Sequence, residues 1–114
     1  MSQQAISILS LTLAAAGAIV ANRFVTPAAV QTGADGIAIG VANTAAVSGE
    51  KFPVTAQGTA VVEAGAAIAA GATLKVDASG RAITWVTSGA KVGFALEAAG
   101  AAGQFIEVLL LDNA

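Results

Sequence analysis

Glycine interrupts this chain at short intervals, with 13 Gly among 114 residues. The segments between the glycines are rich in Val, Ile, Thr and Ala, and such short segments bounded by turn residues favour strands over long helices. A chain of this length has room for about one domain. The pattern therefore predicts a mainly β fold, either a small antiparallel β-barrel or a β-tulip-like domain.

Eight segments carry the strand pattern. They lie at residues 23–26, 36–42, 51–57, 59–63, 73–76, 81–86, 91–96 and 104–111. Pro53 has no N–H to donate, so it favours an edge or a bulge for its strand. The last segment is nearly all apolar, so we expect both of its faces to be covered. Glu107 interrupts that segment, and a solvated or rim position is the expectation for it.

The clearest local signal is a hairpin. Residues 73–76 and 81–86 flank the sequence Asp77-Ala78-Ser79-Gly80. An Asp at the first turn position accepts a hydrogen bond from a backbone N–H two residues on, and Gly at the fourth tolerates positive φ. The two segments are therefore predicted to pair as neighbouring strands.

Residues 5–21 form an uncharged apolar run with two interpretations. A membrane-spanning helix needs about 20 apolar residues, and Ser7, Ser10, Thr12 and Gly17 interrupt this shorter run. A signal peptide would require a basic residue before the apolar core, and none precedes this run. A strand or arm over residues 1–22, followed by a β domain over residues 23–114, is the favoured interpretation. A small membrane-associated protein anchored by the run is the alternative.

The strand interpretation of this run contains a change of phase. Ile6 and Ile8 share one face of a period-2 pattern, whereas Leu9, Leu11 and Leu13 share the other. A shift between Ile8 and Leu9 would suit a β-bulge or a strand covered on both faces.

Composition indicates a protein-binding surface. Hydrophobic residues make up 56% of the chain and charged residues only 11%, against about a quarter charged in ordinary globular domains. Part of the surface is therefore expected to face another protein. The five basic residues (Arg23, Lys51, Lys75, Arg81 and Lys91) are scattered singly and the net charge is −2. Nucleic acid is not an expected partner, because its phosphates need a grouped positive patch.

The chain lacks the residues that most often do chemistry. It contains no His and no Cys, which removes most metal sites and most nucleophile–base pairs. Gly33, Gly36 and Gly40 do not match a nucleotide-binding spacing. The acids Asp35, Glu50, Glu63 and Asp77 each neighbour a Gly or a predicted turn and are interpreted as solvated loop residues. We therefore expect no enzyme activity, no cofactor, no metal and no small-molecule substrate; an enzyme of unusual chemistry stays open.

The aromatic residues are few. Phe24, Phe52, Phe94 and Phe105 are interpreted as core, since a chain so poor in large side chains needs them for packing. Trp85 suits a core position and an interface about equally, because Trp is favoured at interface hot spots.

Four stretches, taken in order, resemble small phage capsid cement, or head decoration, proteins. The central one is VVEAGAAIAAGATLKVDASGRAI at residues 61–83; the others lie at residues 1–25, 40–60 and 92–111. The segment between Trp85 and Lys91 is short for this family, in which an insertion is common.

The resemblance implies a structural virion protein on the outer capsid surface. Such a protein would bridge major capsid subunits, stabilise the shell and assemble as a homotrimer, so its partners would be the major capsid protein and itself. Our candidate contact residues toward the capsid or a neighbouring copy are Gln3, Gln4, Ile6, Ile8 and Trp85.

Overall fold

A computed structural model describes residues 6–110, and within this range the chain forms strands and no helix. The strands are β1 (Ser7–Ala14), β2 (Phe24–Val25), β3 (Gly40–Ala42), β4 (Lys51–Glu63), β5 (Thr73–Val76), β6 (Ala82–Thr84), β7 (Gly93–Ala95) and β8 (Phe105–Leu110). Every pairing between them is antiparallel. The predicted mainly β class is confirmed.

The sheet curls into a nearly closed, barrel-like form. Its strand order is β2-β3-β4-β8-β7-β5-β6, and β1 pairs with β4 outside this order. Ala82 in β6 forms a bridge with Ala64, immediately after β4. The Phe24 N–H of β2 donates to the Gly80 carbonyl at 2.9 Å. These contacts bring the two ends of the strand order together around a shared interior.

The long strand β4 connects the two halves of the fold. The sequence pattern predicted two strands, at residues 51–57 and 59–63, and this division is wrong, because β4 runs unbroken through Gly58. Gly58 has a φ of 104°, which lets the strand bend without ending. The first part of β4 pairs with β1, and the last part pairs with β8.

The predicted irregularity in the N-terminal strand is confirmed. The β1–β4 register shifts between Ser7 and Leu9 and again between Leu9 and Ser10. Because a bulge changes which face successive side chains occupy, it accounts for the change of phase in the sequence. Residue 5 of the predicted run lies outside the described residues.

Pro53 lies in an interior strand rather than at an edge. It pairs with Thr12 of β1 on one side. Its carbonyl accepts a hydrogen bond from the Asn43 N–H at 3.1 Å, one residue after β3 ends. Pro53 therefore lacks its N–H at the end of the β3–β4 ladder, where the loss of one hydrogen bond costs little stability.

The core consists of two clusters. One lies under β5–β8 and the second half of β4, and includes Phe24 and Leu74. The other lies under β1, β3 and the start of β4, around Phe52 and Val54. Full burial of each such side chain contributes about 1.5–3 kcal/mol. The core interpretation of Phe24 and Phe52 is confirmed.

Several predicted segments are shorter in the structure. Segments 23–26, 36–42, 81–86 and 91–96 contract to β2, β3, β6 and β7. Residues 64–72, rich in Ala, form turns in which Gly71 has a φ of 85°. None of the described residues belongs to a helix long and apolar enough to cross a membrane.

Candidate protein-interaction surface

Large apolar side chains are exposed in two main places. The first is the N-terminal strand β1 with Ile6, and the second is the outer face of β7 and β8. The exposed residues of both sets are Ile6, Ile8, Leu9, Phe94, Leu96, Phe105 and Leu109. Groups of exposed large apolar side chains are typical of protein-interaction sites.

The strand β1 is little covered by the rest of the protein. Ile8 is 75% exposed, whereas Leu11 and Leu13 are half-buried. Among the described strands β1 pairs only with β4, so its other backbone edge has no strand partner there. Exposed edge strands usually carry a charged residue or a proline that blocks further pairing. The sequence of β1 contains neither. The edge can therefore accept another strand. Gln3 and Gln4 lie outside the described residues.

The outer face of β7 and β8 is also apolar, and we call it the β7–β8 face. Phe94 lies directly opposite Leu109 in the ladder. Phe105 and Leu109 are 45% and 41% exposed, so the expectation that both faces of the last strand are covered is wrong. The core interpretation of Phe94 and Phe105 is wrong for the same reason. In a barrel-like sheet only one face of each strand can point inward, and here the outer face also carries large apolar side chains.

Glu107 lies at the centre of the β7–β8 face. Only 7% of the residue is exposed, but no side-chain oxygen of the described residues is buried without a hydrogen-bond partner. The stem of Glu107 is therefore buried, and its carboxylate reaches the surface, as expected for a rim position. Val61 is its partner across the β4–β8 ladder, and the Leu96 N–H donates to its carbonyl at 2.9 Å. Phe105 and Leu109 precede and follow it by two residues on the same face. Apolar side chains thus surround the carboxylate stem on four sides.

The Glu107 side chain has no cationic neighbour among residues 6–110. The ion pairs of these residues involve the carboxylates of Asp35, Glu63 and Asp77 only. Beside Glu107, the Glu97 carboxylate accepts the Glu107 N–H at 2.8 Å, and it too lacks an ion pair in this range. The β7–β8 face therefore carries two acids, Glu97 and Glu107, that form no ion pair within residues 6–110.

Trp85 is half-buried at the end of β6. Its Nε1–H donates to the Gly89 carbonyl at 2.9 Å, and the Lys91 Nζ lies 4.4 Å from the ring centroid. These contacts fold the loop of residues 86–90 back on the ring. They also place Val86 in an exposed position, so Trp85 shapes this part of the surface.

The hairpin is confirmed, and its tip is braced by charge. The Asp77 Oδ1 accepts the Ser79 and Arg81 N–H groups at 2.8 and 2.9 Å, as predicted for an Asp at this turn position. Glu63 pairs with Arg23 at 3.1 Å and with Arg81 at 3.8 Å. The fold thus brings together two arginines that are distant in sequence, but they stabilise the hairpin and are neutralised there.

The acidic loop residues do not converge on a shared cleft. A shallow depression of about 300 Å³ is lined by Ala18, Ile19, three residues at 45–47 and Glu50. The Glu50 Oε1 accepts the Val47 N–H at 2.9 Å, so this carboxylate closes a local turn. Among the described residues, no group of three or more His, Cys, Asp or Glu could hold a metal ion.

One known protein family matches nearly the whole chain. Residues 2–110 match the model of a family described as phage cement protein. The chain belongs to the phage cement protein family. It is therefore a structural protein associated with the capsid of a phage, located on the exterior of the virion capsid. The resemblance found in the sequence is confirmed.

One solved structure supports the same fold. The chain is similar to the head fiber gp8.5 N base of bacteriophage phi29, with a TM-score of 0.71 and 21% sequence identity. The similarity covers 90% of this chain and 93% of the phi29 chain. No match was found among curated proteins.

Proposed function

We propose that this phage cement protein stabilises the capsid by bridging neighbouring major capsid subunits from the outside. The observation that carries the proposal is the family match over residues 2–110. The exposed apolar surface of β1 and of the β7–β8 face supports it, because a bridging protein needs adhesive surface facing other proteins.

Bridging requires contact with more than one neighbour at once, and two surfaces are available. β1 lies along the first part of β4, whereas β8 lies along its last part. Contacts on two such surfaces make the second binding step intramolecular, so modest individual affinities add up to strong attachment.

We further propose a homotrimer as the attached form, with contacts made by the N-terminal strand or arm of residues 1–22 beside the β domain of residues 23–114. Gln3, Gln4, Ile6, Ile8 and Trp85 are the proposed contacts with the capsid or a neighbouring copy. Strand addition along the open edge of β1 would supply backbone hydrogen bonds, and the exposed Ile side chains would add apolar contact.

Heat challenge of capsids tests the stabilising role. Capsids of the encoding phage are prepared without this protein, filled with DNA, and mixed with the purified chain. Added protein is expected to bind to saturation and to raise the temperature at which DNA is released. An unrelated β protein of similar size serves as the control. Saturating attachment with no change in the release temperature would contradict stabilisation, and no attachment at all would contradict the proposal as a whole.

A further inference from the structure

The chain contains two copies of one structural unit, joined within β4. The first unit runs from β1 to the first part of β4, at residues 7–57, and the second runs from the last part of β4 to β8, at residues 59–110. In the first unit β1 pairs with β4, β2 with β3 and β3 with β4. In the second unit β4 pairs with β8, β5 with β7 and β7 with β8. The two units therefore share one scheme of strand pairing.

The correspondence extends to single residues. In the first unit Val25 lies opposite Gly40. In the second, Leu74 lies opposite Gly93 in the same way. A Cβ at either glycine would overlap a backbone carbonyl oxygen in the last strand of its own unit. Every residue of the core cluster around Phe52 also has a counterpart in the other core cluster.

The first unit buries a row of side chains against the second unit. Phe24, Val41 and Thr55 lie side by side across β2, β3 and β4, and each is no more than 2% exposed. Phe24 and Val41 belong to the core cluster of the second unit, together with Ala60 and Val76. Ala60 and Val76 have no counterparts in the cluster around Phe52. The second unit therefore covers this row, which we call the first row.

The equivalent row of the second unit is not covered. Thr73, Phe94 and Leu109 lie side by side across β5, β7 and β8 in the same register. Phe94 and Leu109 are 37% and 41% exposed, and Thr73 is half-buried. This second row thus presents to the outside a surface that the first unit buries.

The covering side of the internal contact also occurs a second time. Leu11 and Pro27 hold the positions in the first unit that Ala60 and Val76 hold in the second. Ala60 and Val76 are no more than 1% exposed, whereas Leu11 is half-buried and Pro27 is exposed. One chain therefore exposes both a second row and a surface of the kind that covers such a row.

Backbone donors repeat the same pattern. Across the internal contact the Asp35 N–H donates to the Val76 carbonyl at 3.0 Å, and the Ala90 N–H donates to the Asp35 carbonyl at 3.2 Å. Counted back from β7 and β3, the counterparts of Asp35 and Ala90 are Ser88 and Ile37. Among residues 6–110 the N–H groups of Ser88 and Ile37 form no hydrogen bond, and Ile37 is 59% exposed. Both donors are therefore available to another molecule.

One part of the internal contact has no counterpart. The Gly80 carbonyl at the hairpin tip of the second unit accepts the Phe24 N–H, whereas the matching turn of the first unit, at residues 26–30, is shorter than the loop of residues 75–83. The second row carries Phe and Leu where the first row carries Val and Thr. Its larger apolar area offsets the missing hydrogen bond.

We propose that the second row receives the first unit of a second copy of the chain, with Leu11, Pro27 and Ile37 facing Phe94 and Leu109. The contact within each chain is then repeated between chains. This inference rests on the self-association proposed above and adds the two surfaces that meet. A contact between two different surfaces of identical chains joins them head to tail and forms a ring when its rotation closes. The proposed homotrimer is such a ring, with three equal contacts.

The proposed contact leaves part of the β7–β8 face free for the capsid. Leu96 and Phe105 correspond to Asn43 and Lys51, which are exposed in the first unit. Positions equivalent to these lie outside the internal contact. Leu96 and Phe105 are therefore expected to lie outside the contact between chains.

Introduced cysteines test which surfaces meet, because the chain contains no Cys of its own. Asp35 and Val76 adjoin within the chain, so their counterparts Ser88 and Pro27 are expected to adjoin between chains. P27C and S88C are mixed under mild oxidation, both in solution and on capsids of the encoding phage prepared without this protein. Disulfides between the two variants are expected to be the dominant product, with few between identical variants. The double variant P27C/S88C is expected to give covalent trimers.

A charge in the second row provides an independent measurement. Leu109→Asp is compared with Leu96→Asp, a matched control because Leu109 and Leu96 are 41% and 40% exposed. L109D is expected to weaken self-association in light scattering, or the yield of the mixed disulfide on capsids, by about tenfold or more. L96D is expected to match wild type in both assays, and the two variants should have similar melting temperatures.

The outcomes separate this inference from the proposed function. Disulfides that join identical variants as often as different ones, or no mixed disulfide in solution and on capsids, would overturn the inference. It would also be overturned if L109D and L96D associated equally well. A mixed disulfide in solution together with no attachment to capsids would support the contact between copies and contradict the proposed function.

Discussion

Gly58 allows the start of the N-terminal strand to lie close against β4. Its φ of 104° favours glycine, and a Cβ at this position would overlap the Ile6 carbonyl oxygen. That carbonyl accepts the Thr59 N–H at 2.9 Å, and the Ile6 N–H donates to the Thr59 Oγ1 at 2.9 Å. A side chain at residue 58 would therefore separate the start of the N-terminal strand from β4.

We expect Gly58→Ala to lower the free energy of unfolding by about 2–4 kcal/mol, the sum of backbone strain and a steric overlap. Gly49→Ala is the matched control, because Gly49 has a φ of 92° and open space around its Cβ position. The control should lose only about 1–2 kcal/mol. Urea unfolding measures both, and equal losses would contradict the close approach of Ile6 to β4.

Asp77 carries the turn that the sequence predicted most clearly. Its two oxygens accept bonds from the Ser79 and Arg81 N–H groups and from the Arg81 Nε. We expect Asp77→Ala to destabilise the fold by about 2–3 kcal/mol, because buried or half-buried donors lose a charged acceptor. Ser79→Ala, which keeps the backbone of the same turn, should change stability by no more than about 0.5 kcal/mol. Thermal unfolding of the two variants measures the difference, and a similar effect of both would contradict the assigned role.

At the scale of the strands, a substitution on β1 can test attachment without disturbing the stability of the fold. Ile8 is on its exposed surface, so Ile8→Lys should change the free energy of unfolding by no more than about 0.5 kcal/mol. A charge on the open edge should nevertheless hinder strand addition. We expect this variant to lose self-association or capsid attachment, as measured by light scattering and sedimentation. Thr12→Lys, also exposed on β1 but farther from the N-terminus, shows whether the effect extends along the strand. Unchanged behaviour of Ile8→Lys in both assays would contradict a contact role for β1.

Local signals in the sequence predicted the elements that depend on local chemistry. The β5–β6 hairpin was predictable because Asp77 and Gly80 define its turn by themselves. The bulge in β1 was predictable from the phase of its apolar residues. The continuity of β4 was not predictable, because a glycine within a strand pattern can mark either the end of a strand or a bend in it. At Gly58 the close approach of the Ile6 backbone, which is distant in sequence, accompanies a bend.

The candidate surface was only partly predictable, because apolar residues serve cores and interfaces alike. Ile6 and Ile8 were predicted as contacts and are exposed. Phe94 and Phe105 were assigned to the core and lie on the outside, since the strand period cannot tell which face the barrel encloses. Glu107 was the one sequence signal for this surface. A single acid within an apolar strand marks the outward face, on which Phe105 and Leu109 also lie.

At the scale of the whole molecule, the barrel-like sheet leaves large apolar side chains exposed on β1 and on the β7–β8 face. The two core clusters lie inside, and the hairpin tip is held to β2 and to the end of β4 by ion pairs. Lys75 pairs with Asp35 and Lys91 lies over the Trp85 ring, so four of the five basic side chains have partners within the fold. The surface left for partners is largely apolar, which suits attachment to another protein.

Imaging of the virion tests whether this cement protein bridges capsid subunits. Virions of the encoding phage are compared by cryo-electron microscopy with virions that lack the protein. We expect density of barrel-like shape on the outer surface, in contact with at least two capsid subunits and absent from the deletion virions. Identical shell surfaces in the two particles, or density that touches a single subunit, would contradict it.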